Sequence, residues 1–182
     1  FVTHKYLFRW NGKSMRVWQP RTAFNFGFWI NDQFYIHQEE TGLMQLTGDV
    51  LQLAPMGEKL ANERFKAMLP FNHQGQKRIL ITTQNNGLFL YDGASLVRFA
   101  TEVDELLRQA HIFCAIRLSN GQYALGTMQR GIVIIDAAGK LRNHLEEAGG
   151  LQDDAVLSLY EDRQHALWAG MQVGIARVET GS

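Results

Sequence analysis

Amide side chains recur at a nearly constant spacing along the chain, each time beside a glycine and near further polar residues. Amide and guanidinium groups can hydrogen-bond sugar hydroxyls, carboxylates or a peptide backbone. If the fold brings them together, they form a binding surface without catalytic chemistry. The sequence therefore predicts eight ligand-binding residues: Gln38, Glu39, Gln84, Asn85, Asn86, Gln129, Arg130 and Gln172. The alternative is that these side chains cap their own turns and face water.

Catalytic or metal-binding groups are not arranged in any familiar pattern. Adjacent carboxylates occur at Glu39-Glu40, Glu146-Glu147 and Asp153-Asp154. Neighbours in a strand point to opposite faces, so adjacency does not indicate an acid/base pair, and solvated loops are the favoured interpretation. The six histidines lack metal-ligand spacing, and the single cysteine, Cys114, is expected to be a buried, inert thiol. With no nucleophile–base motif or nucleotide fingerprint, we expect a non-enzymatic chain with no metal and no cofactor.

Charge and hydropathy exclude two kinds of partner. The 182 residues include 18 basic and 18 acidic side chains, so the formal net charge is zero. Nucleic-acid binding normally needs a basic excess, and we therefore expect no nucleic-acid partner. No apolar run approaches the roughly 18–20 residues that span a bilayer. Contact with a membrane is expected only through segments outside this sequence.

One short pattern, a polar pair followed by Gly and an apolar run, recurs four times. Its glycines are Gly42, Gly87, Gly131 and Gly174, which are 45, 44 and 43 residues apart. The third unit shows the internal plan, with apolar runs at 112–118, 123–126, 132–136 and 141–144. Asn120-Gly121 between the first two runs is a strong hairpin signal, for which positive φ at both residues is expected. Each unit is therefore predicted to contain four short strands.

Four antiparallel strands in a period of 40–50 residues are typical of β-propeller blades. Helical repeats of similar length are excluded, because the units lack long apolar patterns with a 3.6-residue period. The sequence predicts an all-β partial propeller over 1–182, with units at about 1–18 (partial), 19–53, 54–100, 101–144 and 145–182 (partial). The recurring glycines are expected where backbones approach closely near the central axis.

The connections and the aromatic residues allow further predictions. Residues 58–68 are expected to form two or three helical turns, and 101–110 a helix with Thr101 as its N-cap. Phe24, Phe26, Phe28, Trp29 and Trp168 are predicted to pack between blades.

The last unit resembles a known family. Residues 150–162, GLQDDAVLSLYED, lead into Ala166-Leu167-Trp168-Ala169-Gly170 and then Gly174-Ile175. This closely resembles the two-component regulator propeller repeat, from which it departs at Ala166 (usually Asn) and Met171 (usually Thr). The strong likeness covers about 30 residues, and the weaker repeat covers nearly the whole chain.

The resemblance implies a bacterial sensor region in the periplasm, as part of an inner-membrane protein. In that family the propeller usually has seven blades and precedes a membrane helix and an output, which is a histidine kinase or a diguanylate cyclase. Three complete units and two partial ones are too few for that ring, so the chain is expected to be part of a larger sensor.

Three functions remain open at this point. The first is a non-catalytic sensor that binds a small molecule, a peptide or a glycan. The second is an extracellular propeller enzyme acting on glycans, and the third is a protein–protein interaction scaffold. Unpaired blade edges at 6–18 or 166–178 are expected to be exposed and to favour a homo-oligomer.

Overall fold

The computed structural model describes residues 1–73 and 75–179, which form five antiparallel sheets. We call them the N-terminal pair, blades 1 to 3 and the C-terminal sheet. The N-terminal pair is β1 (Leu7–Trp10) and β2 (Met15–Trp18). Blade 1 is β3 (Phe24–Ile30), β4 (Gln33–Gln38), β5 (Gly42–Thr47) and β6 (Val50–Leu53).

The remaining sheets follow the same meander order. Blade 2 is β7 (Phe65–His73), β8 (Gln76–Thr83), β9 (Leu88–Tyr91) and β10 (Leu96–Phe99). Blade 3 is β11 (Ile112–Arg117), β12 (Tyr123–Thr127), β13 (Ile132–Ile135) and β14 (Leu141–Leu145). The C-terminal sheet is β15 (Val156–Glu161), β16 (Ala166–Met171) and β17 (Ile175–Glu179). The all-β fold of four-stranded propeller blades is confirmed.

In blades 1 to 3 and in the C-terminal sheet, the first strand lies innermost. Strands β3, β7, β11 and β15 contact one another in sequence, whereas the later strands of each sheet lie progressively further out. Buried apolar side chains fill the space between consecutive sheets. Between blades 2 and 3, for example, Phe71 and Leu80 pack with Tyr123 and Leu125. Stability therefore resides in the interfaces between blades as well as within each sheet.

The two outer sheets differ at their edges. The backbone of Phe1 exchanges two hydrogen bonds with Phe8, so residues 1–2 cover one side of β1. Within the described residues, β17 has a ladder partner on one side only, and Ile175 in it is 67% exposed. Assembly of copies through that edge stays a prediction.

Of the two helical connections predicted, at 58–68 and 101–110, only the second contains an α-helix. An α-helix, α1, runs over Asp104–Ala110, but Val103 is its N-cap and Thr101 lies before it. Thr101 instead donates two hydrogen bonds to the Asp104 carboxylate, one from its backbone N–H and one from its hydroxyl. The helix predicted for 58–68 is wrong. Only a single 3-10 turn, Gly57–Leu60, forms there, because β7 begins at Phe65 and takes up the rest of that segment.

The recurring glycines mark a tight turn rather than the axis. All four have positive φ and stand just before or at the start of the third strand of their sheet. A Cβ on Gly42 would lie 2.0 Å from the Gly57 carbonyl oxygen, beyond the end of β6. The close approach is therefore to the segment that leaves the blade, which corrects the expected reason for glycine. At the Asn120-Gly121 hairpin, likewise, only Gly121 has positive φ.

The prediction that five aromatic residues pack between blades is partly wrong. Phe24 is fully buried and Phe28 packs against the core between blades 1 and 2. Phe26, Trp29 and Trp168 are instead 55%, 69% and 38% exposed. Trp168 is held at the surface, because its indole N–H donates to Asp162 and the Arg177 guanidinium lies 6.0 Å from its ring centroid.

A buried histidine joins blades 1 and 2. His37 of β4 is 2% exposed, and its ring stacks on Phe65 at 4.6 Å between centroids. Its Nε2 lies 3.0 Å from the Leu60 carbonyl oxygen, and its Nδ1 lies 3.1 Å from the Asn25 amide nitrogen. Since the carbonyl can only accept, Nε2 carries the proton and Nδ1 accepts from the amide. Burial lowers the pKa of His37, although the Leu60 hydrogen bond, Glu39 and Glu63 act in the opposite direction.

We expect His37 to make the fold less stable in acid. Its pKa in the folded chain lies below the ordinary value of 6.5. The unfolded chain therefore takes up the proton first, and stability decreases as the pH falls below that value. Urea unfolding at about pH 7.5 and about pH 5.5 measures this effect. Between these two pH values, the free energy of unfolding should decrease less in His37→Gln than in the parent. An equal decrease in both proteins would contradict this assignment.

Candidate functional site

The eight predicted ligand-binding residues all lie at one end of the blades. Gln38 ends β4, and the other seven lie in the loops that join the second strand to the third in blades 1 to 3 and in the C-terminal sheet. The connections between sheets lie at the same end, because the loops bond to them. Glu40 N–H donates to the Ala61 carbonyl, Ile112 N–H to the Gln84 carbonyl, and Gly131 N–H to the Asp154 carbonyl. We call this end the loop face.

These backbone bonds give the loops a structural role. Each of the three bonds joins the loop of one sheet to the segment that enters the next sheet. Thr83 and Thr127 close their loops in the same way, since the N–H and hydroxyl of each donate to the carbonyl of the glycine four residues later. The recurring pattern therefore holds neighbouring blades together, whatever its side chains bind.

Several of the predicted side chains have partners within the chain. The Gln38 amide donates to the Thr41 hydroxyl, and the Asn86 amide donates to both carboxylate oxygens of Glu63, at 2.8 and 3.0 Å. The Asn85 amide oxygen accepts from Nδ1 of His111, at 2.7 Å. Arg130 lies 3.9 Å from the Glu146 carboxylate. Among them only Gln38 bonds within its own turn, and the other three contact distant segments of the chain. The ligand binding of all four stays a prediction.

The other predicted residues are more open to solvent. The side chains of Gln129 and Gln172 are exposed, as is that of Glu39, while Gln84 is half-buried. Gln38, which is buried, lines a cavity of about 620 Å³ between the N-terminal pair and blade 1, together with Trp18 and Arg21. The loop face thus does not gather all eight side chains into one pocket.

Each innermost strand contains one extra residue near its start, at the same register. The ladders shift by one residue after Phe24, Phe65, Ile112 and Val156, relative to β4, β8, β12 and β16. Such β-bulges redirect a side chain and often occur beside functional sites. The residues that follow these four at the bulge are Asn25, Lys66, Phe113 and Leu157. We call them the axial set, since they lie on the innermost strands.

Two members of the axial set are in direct contact. The Lys66 ammonium lies 4.7 Å from the centroid of the Phe113 ring, a cation–π distance. Phe113 and Leu157 are 38% and 40% exposed, so both apolar side chains face solvent. Burial lowers the pKa of Lys66, and the neighbouring Arg64 lowers it further. Sequence reasoning missed this set because a bulge leaves no sequence signal, although Lys66 is a charged residue inside an otherwise apolar run.

The lone cysteine adjoins this set and has no reactive character. The Cys114 thiol donates a long hydrogen bond of 3.8 Å to the Val156 carbonyl. Burial raises the pKa of Cys114 to about 12. A thiol of that pKa is protonated at neutral pH and is a poor nucleophile, in agreement with the expected inert role.

The acidic residues hold turns in place. The Asp153 carboxylate accepts from the N–H groups of Ala155 and Val173, and Asp154 accepts from Glu147 N–H. Hydrogen bonds from Ser95 lower the pKa of Asp92 to about 2, and the Trp168 indole lowers that of Asp162. The recognisable Glu161-Asp162 and Trp168 motif of the last unit is therefore structural. Within residues 1–73 and 75–179, no three metal-ligating side chains converge.

A second polar groove lies at the opposite end of the blades, between blades 2 and 3. It has a volume of about 530 Å³ and is lined in part by Asn72, Arg117, Asn120 and Arg142. Arg142 is already paired with Asp136. None of the eight predicted residues belongs to this end of the molecule, because it carries the hairpin turns rather than the loops.

No helix among the described residues is long and apolar enough to cross a membrane. No family model matches the sequence, and no curated protein matches it. The fold, however, has solved relatives among extracellular domains of bacterial signalling systems.

Three solved chains from B. thetaiotaomicron illustrate this likeness. The extracellular domain assigned to the one-component system BT4673 has a TM-score of 0.74 and 15% identity, covering 100% of this chain and 26% of that one. A second BT4673 structure, assigned to a hybrid two-component system, has a TM-score of 0.72, 15% identity and coverages of 100% and 25%. The extracellular domain of the hybrid two-component system BT3049 has a TM-score of 0.64 and 14% identity, covering 99% of this chain and 25% of that one.

The chain thus spans about a quarter of the length of those solved chains. At this identity the likeness establishes the fold. It agrees with the resemblance that the last unit showed in sequence, since the solved chains are extracellular domains assigned to one-component and hybrid two-component systems.

Proposed function

We propose that this chain is part of the extracytoplasmic sensor region of a bacterial two-component-type signalling protein and binds a ligand without transforming it. The observation that carries the proposal is the fold likeness over the whole chain to extracellular domains of such systems. A periplasmic location, an inner-membrane anchor and an output that is a histidine kinase or a diguanylate cyclase belong to the same proposal.

The loop face offers a physical route from binding to signalling. A ligand can shift a conformational equilibrium only if it binds one arrangement better than another. The loops carry both the candidate side chains and the hydrogen bonds that join consecutive sheets, such as Gly131 N–H to Asp154. A ligand held by Gln129, Arg130 or Gln172 would therefore favour one spacing of neighbouring blades.

The enzyme alternative receives less support from the side chains. A glycan hydrolase uses a pair of carboxyl groups near the scissile bond, one of which has a raised pKa. The innermost bulges instead present an amide, an amine and two apolar groups: Asn25, Lys66, Phe113 and Leu157. Asp92 and Asp162 have lowered pKa values and lie in turns.

A thermal-shift screen against sugars, amino acids and short peptides tests the proposal. We expect a compound that raises the melting temperature of the parent and of Lys140→Ala, but has less effect on Arg130→Ala, since Lys140 lies at the opposite end of blade 3. Mass spectrometry should recover that compound unchanged after incubation. Conversion of the compound would contradict the proposal. So would a compound that raises the melting temperature of Arg130→Ala as much as that of the parent but no longer raises that of Lys140→Ala.

A further inference from the structure

Lys66 lies at the start of β7, the innermost strand of blade 2, and Arg64 lies just before that strand, so two positive charges occur there. Arg64 is exposed and Lys66 is half-buried. In the part of the chain that the structure describes, neither side chain forms an ion pair with a carboxylate. A partly buried charge without a counter-charge is unfavourable, because water is removed and no anion replaces it. An external anion would supply the missing partner.

Apolar groups adjoin these charges on the neighbouring innermost strands. The Phe113 ring lies beneath the Lys66 ammonium, at 4.7 Å. Leu157 holds the same register position on β15, which packs against β11. Both side chains are more than a third exposed. A ligand whose anionic group reached Lys66 and Arg64 could therefore lay an apolar or aromatic body against Phe113 and Leu157.

We propose that Arg64, Lys66, Phe113 and Leu157 form a binding site for small organic anions that join a carboxylate to an apolar or aromatic body. The two cations would hold the carboxylate by charge-assisted hydrogen bonds. The two apolar side chains would cover the body of the ligand. As the ligand class of a sensor, this site rests on the proposed function, but binding itself can be measured independently of any signal.

Benzoate and benzamide are suitable probes, since they have nearly the same shape and differ in charge. Each is titrated into the ¹⁵N-labelled chain at constant ionic strength, and the backbone amide signals are followed by NMR. Benzoate should shift the signals of Lys66 and Phe113 in a saturable way, and benzamide should bind roughly tenfold more weakly. Equal binding of the two, or benzoate shifts confined to Arg117 and Arg142 in the opposite groove, would overturn the proposal.

Three variants test whether the charge of Lys66, rather than a change in structure, is needed to bind benzoate. Lys66→Met should weaken benzoate binding roughly tenfold, whereas Lys66→Arg should retain most of it. Lys13→Met, which removes an exposed lysine from the N-terminal pair, should bind like the parent. Lys66→Met should also melt at a higher temperature than the parent, because it removes a half-buried charge. Parent-like benzoate binding by Lys66→Met, or a lower melting temperature, would contradict the proposed site.

The outcomes also separate this site from the proposed function. Suppose that benzoate does not bind near Lys66, but a neutral compound from the screen binds in a way that depends on Arg130. The proposed anion site is then wrong, and the sensor proposal stands. If benzoate binds as expected while no compound depends on Arg130, the site is correct and the loop-face proposal fails.

Discussion

Replacing Gly42 by Ala should remove most of the stability of blade 1. Gly42 has a φ of +114°, which residues with a Cβ rarely adopt. The added Cβ would lie 2.0 Å from the Gly57 carbonyl oxygen and 2.7 Å from its carbonyl carbon. Both are backbone atoms, so no side chain can rotate away. We expect a loss of about 4 kcal/mol or more in the free energy of unfolding, measured in urea.

Gly93→Ala is the matched control for this change. Gly93 has a similar φ of +95°, but a Cβ there would meet no atom within 4 Å. The control should therefore lose only about 1–2 kcal/mol, from the backbone conformation alone. Similar losses in the two variants would contradict the close approach between Gly42 and Gly57.

The same reasoning ranks the glycines that look equivalent in sequence. A Cβ on Gly131 would also meet a backbone oxygen at 2.0 Å, that of Leu145. On Gly174 it would meet the flexible end of Gln152, and on Gly87 only the Arg98 guanidinium at 3.5 Å. Gly42 and Gly131 should therefore tolerate alanine least. The repeat pattern alone assigns all four the same role.

The strands were largely predictable, because turn residues and apolar runs define them locally. The four apolar runs predicted for the third unit, at 112–118, 123–126, 132–136 and 141–144, correspond to β11 to β14, and each differs from its strand by one residue at one end. The start of β7 was not predictable, since the apolar spacing of residues 58–68 suits a helix in isolation. Pairing with β8 over the length of Phe65–His73 makes it a strand instead.

The candidate site was predictable only in part. Loop residues such as Gln129 and Arg130 could be placed on one face, because a four-stranded meander puts those loops at one end. The partners of these residues could not be predicted. The Asn86–Glu63 contact, for example, joins residues 23 positions apart, one in the β8–β9 loop and one in the connection that enters blade 2. The axial set depends on bulges, which are decided by how β7 pairs with β8 and packs against β11.

Packing between blades explains the second large effect that we expect. Phe65 is 2% exposed at the junction of blades 1 and 2, where its ring stacks on His37. It belongs to the core that also contains Leu43 and Met68, one from each blade. Truncating it would leave a cavity at the junction and weaken the contact between the two blades at once.

Phe65→Ala should therefore lower the free energy of unfolding by about 3–5 kcal/mol. Phe26→Ala, in β3 of blade 1 and 55% exposed, makes the same truncation at a solvated position and should lose about 1 kcal/mol or less. The loss of unfolding free energy in Phe65→Leu should lie between those of the two alanine variants. Phe65→Leu should also raise the pKa of His37 toward 6.5, because burial is the main cause of the lowered pKa of His37. Urea unfolding and NMR titration of His37 measure the two effects. A His37 pKa that does not rise in Phe65→Leu, or equal losses at positions 65 and 26, would show that this junction does not provide the expected burial.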